Sequence, residues 1–75
     1  MANAVTLYHT DGCHLCEQAE GLLKQAHINF LLVDIISDPD LVARYGVRIP
    51  VIRLDNNAEL GWPFDLAQLK QFTGE

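Results

Sequence analysis

Val5-Thr6-Leu7-Tyr8-His9-Thr10-Asp11-Gly12-Cys13-His14-Leu15-Cys16 is the stretch on which the fold of this chain turns. Val5 to Tyr8 reads as a short apolar strand, His9 to Gly12 as a loop, and Cys13 as the opening of a helix. A sulfur there faces the unpaired N–H groups and the positive end of the helix dipole, which favour its thiolate, the species that attacks disulfides. Cys13 and Cys16 are the only two cysteines in the chain. Two other uses of a C-x-x-C pair stand beside thiol chemistry. A structural zinc site needs four ligands, and His9, His14 and His27 do not form the second paired cluster such sites have. A structural disulfide closing so small a loop would constrain the unfolded chain by roughly 2 kcal/mol, against about 4 to 5 for a long one.

Outward from this stretch, Leu15, Ala19, Leu22 and Ala26 recur at helical spacing to about His27. Phe30-Leu31-Leu32-Val33 follows as a continuous apolar run, expected to be a parallel strand buried on both faces, with Asp34 at its end. Strand, helix and strand imply a crossover, so the first two strands are expected to pair in parallel. Ser37-Asp38-Pro39 starts a short helix whose apolar face is Leu41, Val42 and Tyr45, with Gly46 as C-cap. Pro50 to Leu54 and Ala58 to Trp62 flank Asp55-Asn56-Asn57 as an antiparallel hairpin. Asp65 and Gln68 match a capping box ahead of Leu66, Leu69 and Phe72, a third helix. The expected order is βαβαββα, an α/β domain with a four-stranded mixed sheet packed by three helices.

Seventy-five residues suit one domain spanning 1–75, and 49% hydrophobic content suffices for one core. Five Lys and Arg against ten Asp and Glu give a net charge of −5, which provides no electrostatic footprint for nucleic acid or an anionic membrane. No apolar stretch approaches the length of a membrane span, and Met1-Ala2-Asn3-Ala4 lacks the basic start of a signal peptide, so a cytoplasmic location is expected. In a reducing compartment a cysteine pair is more often catalytic or metal-binding than structural.

Leu7-Tyr8 leading into Cys13-His14-Leu15-Cys16, then Val47-Arg48-Ile49-Pro50-Val51, then Gly61 with Asp65 opening the last helix together resemble the glutaredoxin branch of the thioredoxin superfamily, in particular its small divergent bacterial members. The resemblance implies a thioredoxin-like fold over nearly the whole chain. It implies that Pro50 is cis and lies against the sulfurs, presenting the Ile49 backbone to an extended thiol substrate; without it, Pro50 would read as an ordinary trans proline at a strand start. Glutaredoxins hold glutathione through a basic residue before the first cysteine and a Gly-Gly plus acidic residues after the hairpin. Here Thr10 stands in place of the basic residue, Asp11 adds a negative charge, Trp62 replaces the second glycine and Phe64 the first acidic residue. Arg48 stands where a threonine is usual; it reads either as a compensating charge for a glutathione carboxylate or as a solvated surface arginine. Trp62 reads equally as a groove-lining aromatic or a packing residue.

The chemistry expected is that of a small thiol–disulfide oxidoreductase. Cys13 is the nucleophile and Cys16, one helical turn on, resolves the mixed disulfide. The substrate-binding residues are Ile49, Pro50, His14, Arg48 and Trp62. His14 is assigned a surface-contact role because a second positive charge is disfavoured at a helix start. Asp11 opposes thiolate formation by like charge. Tyr8 and Asp34 read as a strand-end core tyrosine and a solvated strand-end carboxylate, and His27 as a helix C-terminal residue meeting the dipole. Neither a metal nor a bound cofactor is expected. Glutathione enters as a co-substrate, the partners are a disulfide-containing protein or a glutathione mixed disulfide, glutathione or a flavoprotein reductase supplies electrons, and the protein is expected to be a monomer. The alternatives are an iron–sulfur cluster-binding module, against which Cys16 argues, and an adaptor that keeps the fold without catalysis.

Overall fold

The computed structural model describes residues 4–74. Its elements are β1 (Val5–His9), α1 (His14–Gln25), β2 (Leu31–Asp34), a 3-10 turn (Ile35–Ser37), α2 (Pro39–Tyr45), β3 (Val51–Leu54), β4 (Glu59–Gly61) and α3 (Leu66–Thr73). The order is the βαβαββα expected from the sequence. The sheet runs β2-β1-β3-β4, with β1 parallel to β2 and antiparallel to β3, and β3 antiparallel to β4.

Period-two alternation divides the apolar residues between two sheet faces. On one face Val5 and Leu7 of β1 with Ile52 and Leu54 of β3 meet Ala19 and Leu23 of α1 and Leu69 of α3 in the larger core. On the other, Tyr8 and Val51 meet Tyr45 of α2 and Ile35. α1 and α3 therefore cover one face, and the shorter α2 covers part of the second.

The expectation that Phe30 to Val33 is buried on both faces is corrected. β2 is an edge strand, and Leu31 and Leu32 are 68% and 47% exposed. β2 pairs in parallel with β1, but among the described residues no further strand flanks it and the seven-residue α2 is too short to cover Leu31. The inward stripe of α1 also differs from expectation. It is led by Cys16, Ala19 and Leu23, while Leu15 turns outward at 44% exposure. Cys16, Ala19 and Leu23 recur at spacings of three and four along one side of the helix, and Leu15 is turned about 100° from Cys16.

The helix ends follow local rules. Asp38 caps α2 through the Asp40 N–H at 2.9 Å, with Pro39 at the first turn. Gly46 closes α2 as expected, its N–H donating to the Val42 carbonyl at 2.9 Å, and a Cβ there would lie 2.6 Å from that oxygen. The capping box of α3 is complete: the Gln68 N–H donates to Asp65 at 2.7 Å and the Asp65 N–H to Gln68 at 2.9 Å. α1 ends at Gln25 in a Schellman arrangement. Ile28 N–H donates to the Leu23 carbonyl and His27 N–H to the Lys24 carbonyl, both at 3.0 Å. His27 holds the left-handed position of that motif, with φ 60°.

Candidate functional site

β1 delivers the loop that bears the cysteines. Its last residues, Tyr8 and His9, are paired on both sides of the strand or end the pairing, so the chain leaves the sheet from a fixed point. The Cys13 N–H donates to the Thr10 carbonyl at 3.3 Å, and Gly12 takes φ 79°, a conformation side chains disfavour. Cys13 is then set as N-cap of α1, in extended conformation, and its Sγ accepts the Cys16 N–H at 3.2 Å. A sulfur in the capping role is the acceptor for a donor that the first turn leaves unpaired, and this preference increases with negative charge on the acceptor.

Cys13 and Cys16 are joined in a disulfide, with their Cα atoms 5.2 Å apart. That spacing lies within the ordinary range for the bond. Cys13 is half-buried, and Cys16 is buried at 4% exposure. The two sulfurs thus differ in access: the first meets solvent and the second sits under the helix.

A cavity of about 250 Å³ opens beside them, walled by His9, Thr10, Cys13, Cys16 and Leu32 together with three carboxylate residues, Asp11, Glu17 and Glu20. No Lys or Arg lines it. Asp11 was legible in the sequence; Glu17 and Glu20 were missed, although their spacing of four and seven residues from Cys13 puts them on one helix face. Leu32 was missed for a different reason: it belongs there only because β2 is an edge strand. The Thr10 hydroxyl is buried without a hydrogen-bond partner among the described residues.

The Ile49-Pro50 peptide bond is cis, and Pro50 is fully buried. The β1–β3 register pairs Tyr8 with Val51, so its continuation sets Pro50 opposite His9, at the end of the sheet from which the Cys13 loop departs. The Pro50 carbonyl accepts the Trp62 N–H at 3.1 Å. The Ile49 N–H is taken by the Tyr45 carbonyl at 3.0 Å, leaving its carbonyl without a backbone donor among the described residues. His14 is exposed as the first residue of α1.

The side chains of Arg48 and Trp62 are engaged elsewhere. Arg48 lies over the Tyr45 ring, 5.6 Å from its centroid, and pairs with Glu59 at 3.4 Å. Trp62, half-buried, packs edge-on against Phe64 with ring centroids 5.0 Å apart and contacts the larger core. The Trp62-Pro63 bond is also cis.

Below Arg48, Tyr8 and Tyr45 stack with centroids 4.5 Å apart. The Tyr45 hydroxyl donates to Glu59 at 2.5 Å, and Arg53 donates to the Tyr8 hydroxyl at 3.3 Å. Burial, then the Glu59 hydrogen bond, raises the Tyr45 hydroxyl above its ordinary pKa. The same hydrogen bond, aided by the Arg48 charge, holds the Glu59 carboxyl below its ordinary value. Among the described residues no three His, Cys, Asp or Glu side chains converge as a metal site, and no helix is long and apolar enough to cross a membrane.

The model of the glutaredoxin-like domain family (DUF836) matches residues 4–73. The chain belongs to that family. Target protein XcR50 from X. campestris, solved by X-ray diffraction, is 46% identical over 92% of this chain and 93% of its own, with a TM-score of 0.87. Protein Ne2328 from Nitrosomonas europaea, at 23% identity over 97% of this chain and 93% of its own, shares the fold with a TM-score of 0.74. A glutathione transferase homolog from sulfitobacter, solved with bound glutathione, is 20% identical over 95% of this chain and 36% of its own, with a TM-score of 0.62, and likewise shares the fold. No curated protein matches the chain. A glutaredoxin-like fold with its cysteine pair brought together at a helix start makes a redox role plausible.

Proposed function

We propose that this glutaredoxin-like protein is a thiol–disulfide oxidoreductase. The observation that carries the reading is the asymmetry of the pair: a half-exposed Cys13 whose sulfur accepts a helix N–H, backed by a buried Cys16 within bonding reach. In the dithiol form, the Cys13 thiolate attacks one sulfur of a substrate disulfide. One S–S bond breaks, a mixed disulfide forms, and the first substrate thiolate leaves. Cys16 then loses its proton and attacks the Cys13 sulfur, closing the internal disulfide and releasing the second substrate thiolate. The substrate gains two electrons and the protein loses two, which glutathione or a flavoprotein reductase restores. Pro50, Ile49 and His14 form the approach to Cys13, with the Ile49 carbonyl available to an extended substrate. The reducing cytoplasm suits this cycle.

The acidic wall of the cavity supports a preference among substrates. Asp11, Glu17 and Glu20 repel an anionic disulfide and attract a neutral or basic one, so glutathione, itself anionic, is a poor fit and a protein disulfide with basic flanks a better one. With Arg48 paired to Glu59, no cation lines the cavity to offset this.

The test compares wild type, Cys13→Ser and Cys16→Ser in turnover of an insulin-type protein disulfide and of a glutathione mixed disulfide, with mass spectrometry of trapped intermediates. Loss of all turnover in Cys13→Ser, and accumulation of a mixed disulfide on Cys13 in Cys16→Ser, are expected. Full activity of Cys13→Ser would overturn the assignment.

A further inference from the structure

All three arginines of the chain, Arg44, Arg48 and Arg53, line one open cavity of about 500 Å³ together with Tyr45, Asn57 and Glu59. It shares no lining residue with the cavity at the cysteines. It lies on the other side of the sheet: Arg53 alternates with Ile52 and Leu54, which point into the core under α1 and α3. The two remaining cations, Lys24 and Lys70, sit on α1 and α3.

Three guanidinium groups and one carboxylate line this cavity, in a protein whose net charge is −5, and Arg44 also borders a neighbouring cavity lined by Asp38 and Asp40. Two of the three are held in place. Arg48 is fixed by Glu59 and the Tyr45 ring, and Arg53 by the Tyr8 hydroxyl and the Asn57 side chain. Arg44, exposed on the last turn of α2, has no hydrogen-bond or ion-pair partner among the described residues. These contacts with the tyrosines account for the placement of Arg48 and Arg53, but not for that of Arg44. Gathering like charges costs free energy that one carboxylate offsets only in part. The planar donor forks of arginine suit two-point recognition of phosphate or carboxylate oxygens, and the cavity volume falls in the range of small-molecule sites.

We propose that this cavity binds a compact dianion, a phosphate group or a small dicarboxylate, with Arg44 closing onto a ligand held by Arg48 and Arg53. The two excess positive charges match a doubly charged ligand. Its occupation does not depend on the redox chemistry at Cys13.

Amide chemical shifts, followed in separate titrations with inorganic phosphate and succinate at constant ionic strength, test the proposal. Saturable shifts confined to Tyr45, Arg48, Arg53, Asn57 and Glu59 are expected with at least one anion, and the anion that saturates identifies the ligand chemistry. Arg44→Ala is expected to weaken that binding about fivefold, as for one exposed charge-assisted contact. Lys70→Ala, which makes the same change in net charge on α3, is expected to leave it within about twofold. Linear, unsaturated shifts with both anions, or equal weakening by the two variants, would overturn the proposal.

Discussion

Neutralising the wall beside Cys13 changes which disulfide the protein prefers. Glu17 is four residues after Cys13, so the side chains start about 6 Å apart. Two unit charges at that distance in water interact by about 0.7 kcal/mol, and screening at physiological salt reduces this to about 0.3 kcal/mol. Glu17→Gln therefore removes about 0.3 kcal/mol of repulsion for an anionic disulfide and an equal attraction for a cationic one, shifting the ratio of their rates about threefold. Glu20 lies a further turn away, about 10 Å from Cys13, and contributes only about 1.4-fold. With Asp11 taken as near as Glu17, the combination Asp11→Asn, Glu17→Gln and Glu20→Gln therefore shifts it about tenfold if the three act independently. The ratio is the quantity to measure, because neutralisation also raises the thiolate fraction of Cys13, which cancels between substrates. Stopped-flow oxidation of the reduced protein by oxidised glutathione and by cystamine, at low salt and at about 0.5 M KCl, reads it directly. The ratio should rise in the triple variant and lose most of its salt dependence. A ratio unchanged by both the triple variant and salt would refute electrostatic selection at this wall. The stability cost should be small, about 0.3 to 1 kcal/mol for Glu17, which also complements the α1 dipole.

Other outcomes follow from the same geometry. Because the folded Glu59 carboxyl lies below its ordinary pKa, its contribution is fully present above the usual carboxylate range and is lost as pH falls through the folded value; urea unfolding should show Glu59→Gln less stable by about 1 kcal/mol at pH 7, the gap narrowing in acid. The raised Tyr45 hydroxyl has the opposite dependence, its contribution being present below the ordinary tyrosine pKa and lost as pH rises through the folded value, so Tyr45→Phe should flatten the alkaline fall in melting temperature. His27→Gly, at the left-handed position ending α1, should stabilise by about 0.5 to 1 kcal/mol in thermal unfolding, and no gain would argue that His27 makes a compensating contact. Asp65→Ala should cost about 1 kcal/mol by the same measurement through loss of the capping box.

The sequence made the elements legible because their signals are local. Asp65 and Gln68, Ser37-Asp38-Pro39 and the cysteine pair each announce a helix start within four residues, and the observed elements begin within a residue or two of the expected places. Strand position in the sheet is not local. The apolar run through Leu31 and Leu32 looks the same whether a strand lies at the centre or the edge, and only the order β2-β1-β3-β4 decides it. The rotation of α1 was not local either: Leu15, Ala19, Leu22 and Ala26 form one helical stripe and Cys16, Ala19 and Leu23 another, and only packing against the sheet selects between them. At the site, Cys13, Cys16 and Asp11 were visible in the motif itself. Glu17 and Glu20 required projecting the helix back onto its own N-terminus. The gathering of Arg44, Arg48 and Arg53 was hidden by the acidic total, because a net charge carries no information about where its minority sign resides.

β1 pairs along its length with β2 on one side and β3 on the other, and the loop bearing Cys13 is its direct continuation. A strand held on both edges cannot detach without breaking the sheet in two. Local opening is therefore closed to β1, and the anchor from which the Cys13 loop departs is lost only when the whole domain melts. Amide exchange at Leu7 and Tyr8 should report the global unfolding free energy, and the Cys13 loop should lose its anchor in the same cooperative transition as the sheet.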